Sequence, residues 1–273
     1  MLKMLKYPRT PHIQGSRIQP GDEDLRQIPF RTIAGRQLVV EEKCDGANSA
    51  ISFDTDGTLL LQSRGHYLVG GSREKHYDLL KKWASVHEEC LKDVLGSRYV
   101  MYGEWMYAKH AVYYDALPHY FLEFDVFDRE RGIFLGTSER RQLLAPLPVV
   151  SAPVIAQREF KSLDELKSLV GQSAFIRSGH IERLRDWCVA NGKCGNADDR
   201  CAETDPSATM EGLYVKIEEN GEVVSRMKFV RQTFLQNVAT SETHWLNRPI
   251  VPNLLRYPVE AIYEVQLPKE ALG

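Results

Sequence analysis

Residues 41–53 read EEKCDGANSAISF and contain the strongest local signals for the fold. The chain is β-rich from Gln37 to Glu42 and then carries Lys43 in front of an Asp-Gly turn signal. From Ala47 to Phe53 polar and apolar residues alternate, as in a strand with one buried face. A DTDG turn and a second run from Thr58 to Ser63 follow, so the sequence predicts a β-hairpin.

Further elements are predicted between residues 72 and 127. Apolar residues recur at three- and four-residue steps between Ser72 and Gly96, which predicts one amphipathic helix capped by these two residues. Apolar runs from Tyr99 to Met106 and from Tyr120 to Phe127 predict strands. The second run is apolar enough for both of its faces to be covered, so both strands are expected in a central sheet.

The region 138–209 predicts a helical insertion. The segment 191–209 is rich in Asn, Asp, Gly and Pro and is predicted to be a loop. The signals for helices are the segments Ser138–Leu144, Ser162–Val170, where Ser162 and Glu165 form a capping box, and Gly179–Ala190.

A final hairpin is predicted from residues 212–217 and 223–230, which flank an Asn-Gly turn signal. Hairpins first, helices between and a hairpin last predict an α+β fold of antiparallel sheets with flanking helices. We predict three parts: a basic, Pro- and Gly-rich N-terminal arm over 1–36, a main domain over 37–230 and a short C-terminal extension over 231–273.

Composition excludes several classes of protein. The formal net charge is −2 and 43% of the residues are hydrophobic, which is typical of globular proteins and not of disordered chains. No apolar run approaches the ~20 residues of a membrane helix, and no signal peptide is recognised, so a cytoplasmic location is expected. The five cysteines are expected to be free thiols; the spacing of Cys188, Cys194 and Cys201 fits a zinc site poorly, and no role is assigned to them.

The motif of Lys43, Asp45 and Gly46 is a weak signal by itself, because short motifs occur by chance. Further short motifs follow it in order along the chain. They are Ser63-Arg64-Gly65, Tyr102-Gly103-Glu104-Trp105, Phe121-Leu122-Glu123-Phe124-Asp125-Val126, Glu211-Gly212-Leu213-Tyr214-Val215-Lys216 and Arg226-Met227-Lys228.

With these motifs in this order, the chain resembles the covalent nucleotidyltransferase superfamily of ligases and capping enzymes, from about Val39 to Phe229. The Glu-Trp pair after Gly103, the long apolar strand and the compact size most resemble ATP-dependent RNA ligases of the RNA ligase 2 type. The resemblance implies a nucleotidyltransferase domain with an ATP-grasp-like ligase core. Only 43 residues follow Val230, so we expect no OB-fold.

The resemblance makes Lys43 the nucleophile that attacks the α-phosphorus of ATP and forms a lysyl-AMP phosphoramidate. A lysine amine attacks only when it is neutral, and we expect nearby cations and partial burial to lower its pKa. Asp45 is a candidate to orient this lysine or bind a metal. Its alternative role is that of an ordinary turn residue.

Four residues are implied to bind the nucleotide. Arg64 resembles the arginine that contacts phosphate or ribose, and Glu104 the glutamate that accepts a hydrogen bond from a ribose hydroxyl. Phe124 resembles the aromatic residue that stacks on adenine, and Glu42 matches the position that reads the adenine edge, largely through backbone groups. The alternatives are a surface arginine, a solvated glutamate and a core phenylalanine.

Charged residues at the end of the motif set are implied to surround the phosphates. Glu211 resembles the acid that helps to hold a divalent metal, Mg²⁺ or Mn²⁺. Arg226 and Lys228 share one strand face and are candidate catalytic cations. The family usually has lysine at both positions, and arginine is a poor proton shuttle, so Lys228 has the stronger claim. Lys216 is expected to be exposed.

Nucleic-acid contacts are predicted at Asn48 and on the arm, which is locally basic and expected to be irregular. Arg9 and Arg17 are its candidate phosphate contacts, and a solvated surface arm is the alternative.

The resemblance implies an ATP-dependent RNA ligase that joins 3′-OH and 5′-phosphate RNA ends in three steps. Lys43 takes AMP from ATP and passes it to the 5′-phosphate, and the 3′-hydroxyl then displaces AMP. Two alternatives remain open: a non-sealing nucleotide- or RNA-binding member of a repair assembly, and a DNA ligase or GTP-using capping-type nucleotidyltransferase.

Overall fold

The structure, a computed structural model, describes residues 3–19, 21–192, 194–234, 249–264 and 266–268. Within these residues the strands are β1 Leu38–Lys43, β2 Ala47–Phe53, β3 Leu59–Ser63, β4 Tyr99–Trp105, β5 Phe121–Asp128, β6 Ile133–Phe134, β7 Val150–Ser151, β8 Val154–Arg158, β9 Gly212–Glu219 and β10 Glu222–Val230. The α-helices are α1 Asp78–Val86, α2 Glu88–Leu95, α3 Thr137–Leu144, α4 Leu163–Lys167, α5 His180–Asn191 and α6 Ala197–Ala202. Short 3-10 helices span Phe30–Thr32, Ser72–Tyr77 and Val259–Tyr263.

The strands form two sheets, which confirms the predicted α+β class. Sheet A has the order β10-β9-β1-β8, with all neighbours antiparallel. Sheet B has the order β3-β2-β4-β5-β6, and β7 lies parallel to β5. Both predicted hairpins are present. In the second, Asn220 and Gly221 have φ of 53° and 81°, the left-handed conformations that an Asn-Gly turn supplies.

Helices α1 and α2 replace the single helix predicted over residues 72–96. The break lies at His87, whose backbone has φ −101° and ψ 15°. Its Nε2 donates to the backbone oxygen of Ile262 at 3.0 Å, so the break coincides with a contact to the C-terminal segment. The apolar faces of both helices, including Trp83 and Leu91, still pack into the core of sheet B. Apolar periodicity predicts that face but not the interruption.

The region 138–209 is not wholly helical, which corrects the predicted helical insertion. Strand β8 pairs with β1, and β7 pairs with β5, so this region completes both sheets. Strand β8 is half exposed and has no long apolar run, which explains why the sequence pattern missed it. The predicted loop contains α6, which is capped by Asn196. The Ser162 cap of α4 is present as predicted: its side chain accepts the Glu165 N–H at 3.1 Å.

The N-terminal arm packs along β10 and is not a solvated surface arm. The backbone N–H of Ile13 donates to the Lys228 oxygen at 2.8 Å, and the Lys228 N–H donates to Pro11 at 2.9 Å. Ile13, Phe30 and Ile33 are buried in the core of sheet A. Apart from Phe30–Thr32 the described arm is irregular, as predicted.

The described part of the C-terminal extension lies against the main domain. The side chain of Asn253 is fully buried and donates to the Met106 oxygen at 2.6 Å. Residues 235–248, 265 and 269–273 of the predicted extension lie outside the described residues. In the part of the chain that the structure describes, every helix is too short or too polar to cross a membrane.

Candidate active site

A cavity of about 620 Å³ is formed by residues of both sheets and of the N-terminal arm. Sheet A contributes the end of β1, and sheet B contributes the start of β2 and parts of β4 and β5. Its lining includes Tyr7, Thr10, Gln19, Glu42, Lys43, Asp45, Asn48, Arg64, His66, Glu104, Phe124, Tyr214 and Lys228. Eight of the predicted site residues, Asp45 among them, therefore meet here. The arm residues Tyr7, Thr10 and Gln19, which the sequence analysis did not single out, lie beside them.

Lys43 is the last residue of β1, where it pairs with Gly212 of β9. Its Nζ donates to Oε2 of Glu211 at 2.7 Å. The Lys43 side chain is 18% exposed, whereas that of Glu211 is fully buried. A Cβ on Gly212 would lie 1.8 Å from the Phe229 oxygen, so only glycine allows β9 and β10 to approach this closely beside Glu211. The amine is therefore accessible from the cavity while its carboxylate partner is not.

Burial and neighbouring charge shift the pKa values of Lys43 and Glu211 in opposite directions. Burial raises the pKa of Glu211 to about 7 although the charge of Lys43 opposes it, and burial raises the pKa of Glu104 to about 7 in the same way. Burial alone would lower the pKa of Lys43, but the carboxylates of Glu211 and Glu104 outweigh it and raise that pKa. The predicted lowering is wrong for the free protein, because the nearest charges are acidic and not basic.

The carboxylate of Asp45 accepts hydrogen bonds from backbone N–H groups of the loop after β4. Its Oδ2 accepts the N–H groups of Ala111 at 2.8 Å and Val112 at 3.1 Å, so the side chain fixes the loop after β4. The Gly46 N–H donates to Oε1 of Glu104 at 3.1 Å. A Cβ on Gly46 would lie 2.8 Å from the backbone oxygen at Trp105. The Asp-Gly pair thus holds the turn close to β4.

Lys228 is tied to the N-terminal arm. Its Nζ donates to Oδ2 of Asp22 at 2.5 Å and to Oε1 of Gln19 at 2.9 Å. The Gln19 amide also donates from Nε2 to Oε1 of Glu211 at 2.7 Å. Burial, and after it the charge of Lys43, lowers the pKa of Lys228. Sequence reasoning missed Gln19 and Asp22, since nothing in the sequence links them to residues about 200 positions away.

Arg226 shares its strand face with Lys228 but is not among the residues that line the cavity. Its guanidinium lies 3.8 Å from the centroid of the Phe134 ring, and its Nε lies 3.7 Å from Oδ2 of Asp125. Lys216, expected to be exposed, is fully buried, 2.8 Å from Glu41 and 3.2 Å from Asp125. That expectation is wrong because Asp125 and Glu41 compensate the buried charge.

The residues predicted to bind the nucleotide come from, or directly follow, different strands of the two sheets. Phe124 of β5 lines the cavity with its ring 5.1 Å from that of Tyr7. Arg64 is exposed at the rim. Glu42 is buried beside Lys43, where its carboxylate accepts the hydroxyl of Ser173, and burial raises its pKa to about 7. Glu104 of β4, the candidate for binding the ribose, pairs with Asn48 of the neighbouring strand β2.

Of the three residues predicted to contact nucleic acid, one lines the cavity and two do not. Asn48 lines the cavity. Arg9 forms ion pairs with Asp24 at 2.6 Å and Asp22 at 3.3 Å, and Arg17 donates to backbone oxygens of residues 232 and 234. Arg9 and Arg17 are therefore engaged within the chain and do not line the cavity.

Carboxylates are the available donors for a divalent metal. Among the described residues no group of three or more His, Cys, Asp or Glu side chains is arranged to hold an ion by itself. Glu211 and Glu104 flank Lys43 and offer the hard oxygen donors that Mg²⁺ and Mn²⁺ prefer. This set fits an ion that also takes phosphate and water ligands. The five cysteines are free, and Cys188 and Cys194 are buried away from the cavity.

Comparison with known families gives one match: a family model described as RNA ligase matches residues 36–230. A comparison with curated proteins finds no match. Among solved structures, a Naegleria gruberi RNA ligase variant with AMP and Mn is 14% identical, with a TM-score of 0.49, over 85% of this chain and 64% of that one.

Two further solved structures are similar at the same level. An archaeal ATP-dependent RNA ligase is 15% identical, with a TM-score of 0.46, over 84% of this chain and 48% of that one. A putative ATP-dependent DNA ligase from Aquifex aeolicus is 16% identical, with a TM-score of 0.46, over 84% of this chain and 50% of that one. The chain spans 48% of the archaeal structure, 50% of the Aquifex one and 64% of the Naegleria one, so it covers about half to two thirds of their length.

Proposed function

The chain belongs to the RNA ligase family, and from this we propose that it is an ATP-dependent RNA ligase that joins 3′-OH and 5′-phosphate RNA ends through AMP bound to Lys43. One observation carries the proposal. The Lys43 amine is open to a cavity of about 620 Å³ and is held by a buried carboxylate, and the lining of the same cavity offers an aromatic ring, Phe124. That volume suits a nucleotide-sized ligand.

In the first step, the Lys43 nitrogen attacks the α-phosphorus of ATP, an N–P bond forms and the P–O bond to pyrophosphate breaks. The amine must first lose a proton, and Glu211 at 2.7 Å is the neighbouring acceptor. Because Glu211 raises the pKa of the amine, the contact holds Lys43 protonated, and deprotonation is expected once Glu211 binds another cation. Lys228, which is linked to Glu211 through Gln19, supplies positive charge for the crowded phosphates.

A divalent metal, when bound, would neutralise phosphate charge and withdraw the Glu211 carboxylate from Lys43. Glu211 and Glu104 are the residues that would hold it. Glu211 is fully buried and Glu104 is partly buried, and hydrogen bonds with Lys43 and with the Gly46 N–H hold them in place before a ligand enters.

In the second and third steps, the AMP passes to a 5′-phosphate and a 3′-hydroxyl displaces it. Groups at the cavity rim are candidates to position these ends. Arg64 offers a bidentate phosphate contact, and Asn48 offers an amide beside the turn that carries Lys43. The chain's main contribution in these steps is alignment of the two ends and neutralisation of charge.

The test uses ATP labelled at the α-phosphate, divalent metal and a nicked RNA duplex with a 3′-OH and a 5′-phosphate. The protein is first treated with pyrophosphate to remove bound AMP. We expect label on the protein, then on the RNA 5′ end, and then sealed product. Labelled GTP, an RNA–DNA hybrid and a single strand run in parallel separate the capping-type, DNA-joining and single-strand alternatives.

Two variants make the test specific. Lys43→Arg keeps a cation for Glu211 but cannot be deprotonated, so labelling is expected to vanish while the fold is kept. Lys81→Met removes another partly exposed, ion-paired lysine, 2.6 Å from Glu74, and is expected to label normally. Labelled protein without sealed RNA would favour a member of a larger repair assembly, and an unlabelled wild type would contradict the proposal.

A further inference from the structure

The N-terminal arm, outside the residues matched by the family model, contributes Gln19 to the cavity lining and Asp22 to the contacts of Lys228, which also lines it. Gln19 and Asp22 lie in a segment without regular structure, yet both contact the same amine, that of Lys228. We infer that Gln19 and Asp22 are positioning residues for adenylyl transfer: Asp22 fixes Lys228, and Gln19 fixes the distance between Lys228 and Glu211. This inference rests on the proposed function.

The orientation of the Gln19 amide follows from its two partners. A lysine ammonium only donates, so it binds the amide oxygen, at 2.9 Å. A carboxylate only accepts, so Oε1 of Glu211 binds the amide nitrogen, at 2.7 Å. Because Oε2 of Glu211 binds Lys43 at 2.7 Å, a continuous chain of contacts joins the nucleophile to Lys228. The Gln19 amide meets both requirements, with its oxygen toward Lys228 and its nitrogen toward Glu211.

Asp22 is itself held from two sides. Its Oδ1 lies 3.3 Å from Arg9, and its Oδ2 lies 3.4 Å from Nε2 of the buried His12. His12 in turn contacts the hydroxyl of Ser16 at 2.7 Å. A carboxylate fixed in this way restrains the Lys228 amine, which would otherwise keep the rotamer freedom of a long side chain.

The backbone ties the same segment to the strand that carries Lys228. The Lys228 N–H donates to Pro11 and its carbonyl accepts from Ile13, so arm and strand keep one register. The Val230 N–H donates to the hydroxyl of Ser16 at 2.8 Å. The side-chain contacts of Gln19 and Asp22 are therefore built on a fixed backbone and are not chance contacts of a loose arm.

The sharpest test is Asp22→Asn, with Asp24→Asn as its matched control. Asp24 shares the Arg9 partner at 2.6 Å, but it is 69% exposed and has no contact with Lys228. In single-turnover labelling with α-labelled ATP, we expect Asp22→Asn to lower the maximal rate about 10- to 100-fold, with the ATP concentration at half-maximal rate changed less than about threefold. Asp24→Asn is expected to match the wild type.

A double-mutant cycle separates positioning from a merely structural role. If Asp22 acts through Lys228, adding Asp22→Asn to Lys228→Ala lowers the rate no further. A structural role would give additive losses. Wild-type rates for Asp22→Asn, or additive losses in the cycle, would overturn the role of Asp22.

Gln19 is tested with two variants of similar size. Gln19→Glu keeps an acceptor for Lys228 but sets a carboxylate against Glu211, and Gln19→Met removes both hydrogen bonds. We expect both to slow labelling at least tenfold, with melting temperatures close to that of the wild type. Wild-type rates in both would overturn the role of Gln19, whereas an unlabelled wild type would instead contradict the proposed function.

Discussion

The Nε of Arg226 lies 3.7 Å from Oδ2 of Asp125, and the guanidinium stacks on Phe134 outside the cavity lining. Lys228, two residues later, lines the cavity. The two cations of one strand face therefore have different surroundings, although the sequence pattern treats them as a pair. The Arg226 side chain lies outside the cavity lining, so an arginine here, where the family usually has lysine, is compatible with catalysis. Its planar guanidinium stacks on the Phe134 ring instead.

The first prediction contrasts Arg226→Ala with Lys228→Ala. Arg226→Ala is expected to destabilise the protein by about 2 kcal/mol, because Asp125 loses one cation but keeps Lys216 at 3.2 Å. The labelling rate of the folded enzyme should stay within about threefold of wild type. Lys228→Ala is expected to lower that rate roughly 100-fold or more. Thermal unfolding and single-turnover labelling measure the two effects, and equal rate losses would contradict the assignment.

The second prediction concerns Phe124. Removing a stacking ring costs about 1–3 kcal/mol per base, so Phe124→Ala is expected to raise the KM for ATP about 5- to 100-fold with a smaller change in kcat. Phe127, on the same strand, packs 5.0 Å from Phe134 and does not line the cavity. Phe127→Ala is therefore the control, with an unchanged KM expected. A KM for Phe124→Ala equal to that of the control would argue against adenine stacking.

The third prediction concerns pH and Glu42. Burial raises the pKa of Glu42 from 4.5 to about 7, so the native state binds a proton more tightly than the unfolded chain does. Native stability is therefore lost as pH rises from 4.5 to 7, by ~3 kcal/mol at most. Glu42→Gln should stabilise the protein more at pH 8 than at pH 4.5. Unfolding titrations at both pH values test this, and a pH-independent difference would contradict it.

The fourth prediction concerns the space around Gly46. A Cβ there would lie 2.8 Å from both the sulfur of Met106 and the backbone oxygen at Trp105. Gly46→Ala is therefore expected to cost about 1–3 kcal/mol of stability, as other overpacked sites do. At Gly171 a Cβ would meet only one atom, at 3.9 Å, so Gly171→Ala is the control. Equal unfolding temperatures for the two variants would contradict this prediction, because they would show that the turn accommodates a Cβ at residue 46 without loss of stability.

Much of the fold could be predicted because its signals are local. The Asn-Gly turn fixes the β9–β10 hairpin, and alternation fixes β2 and β3. Strand β8 could not be found in this way, since it is short and half exposed and is held by pairing with β1. The break at His87 coincides with a contact to Ile262, 175 residues away, and no local sequence pattern shows such a contact.

In the candidate site, too, the residues that belong to local motifs could be predicted, and the contacts between distant segments could not. Lys43, Glu104, Glu211 and Lys228 belong to motifs whose order indicates that they converge, and they do meet around one cavity. The direction of the Lys43 pKa shift depends on which charges are nearest in space, and sequence order does not give that. Gln19 and Asp22 belong to no motif, and their contacts with Lys228 arise from the packing of the arm on β10.

The most direct test of the central claim is to locate the AMP. The wild-type protein is incubated with α-labelled ATP and divalent metal, digested under conditions that preserve phosphoramidates, and its peptides are sequenced by mass spectrometry. We predict AMP on Lys43 alone, and release of that AMP to a 5′-phosphorylated RNA end in a chase without ATP. AMP on another residue, or on none after pyrophosphate treatment, would contradict the claim that Lys43 is the nucleophile.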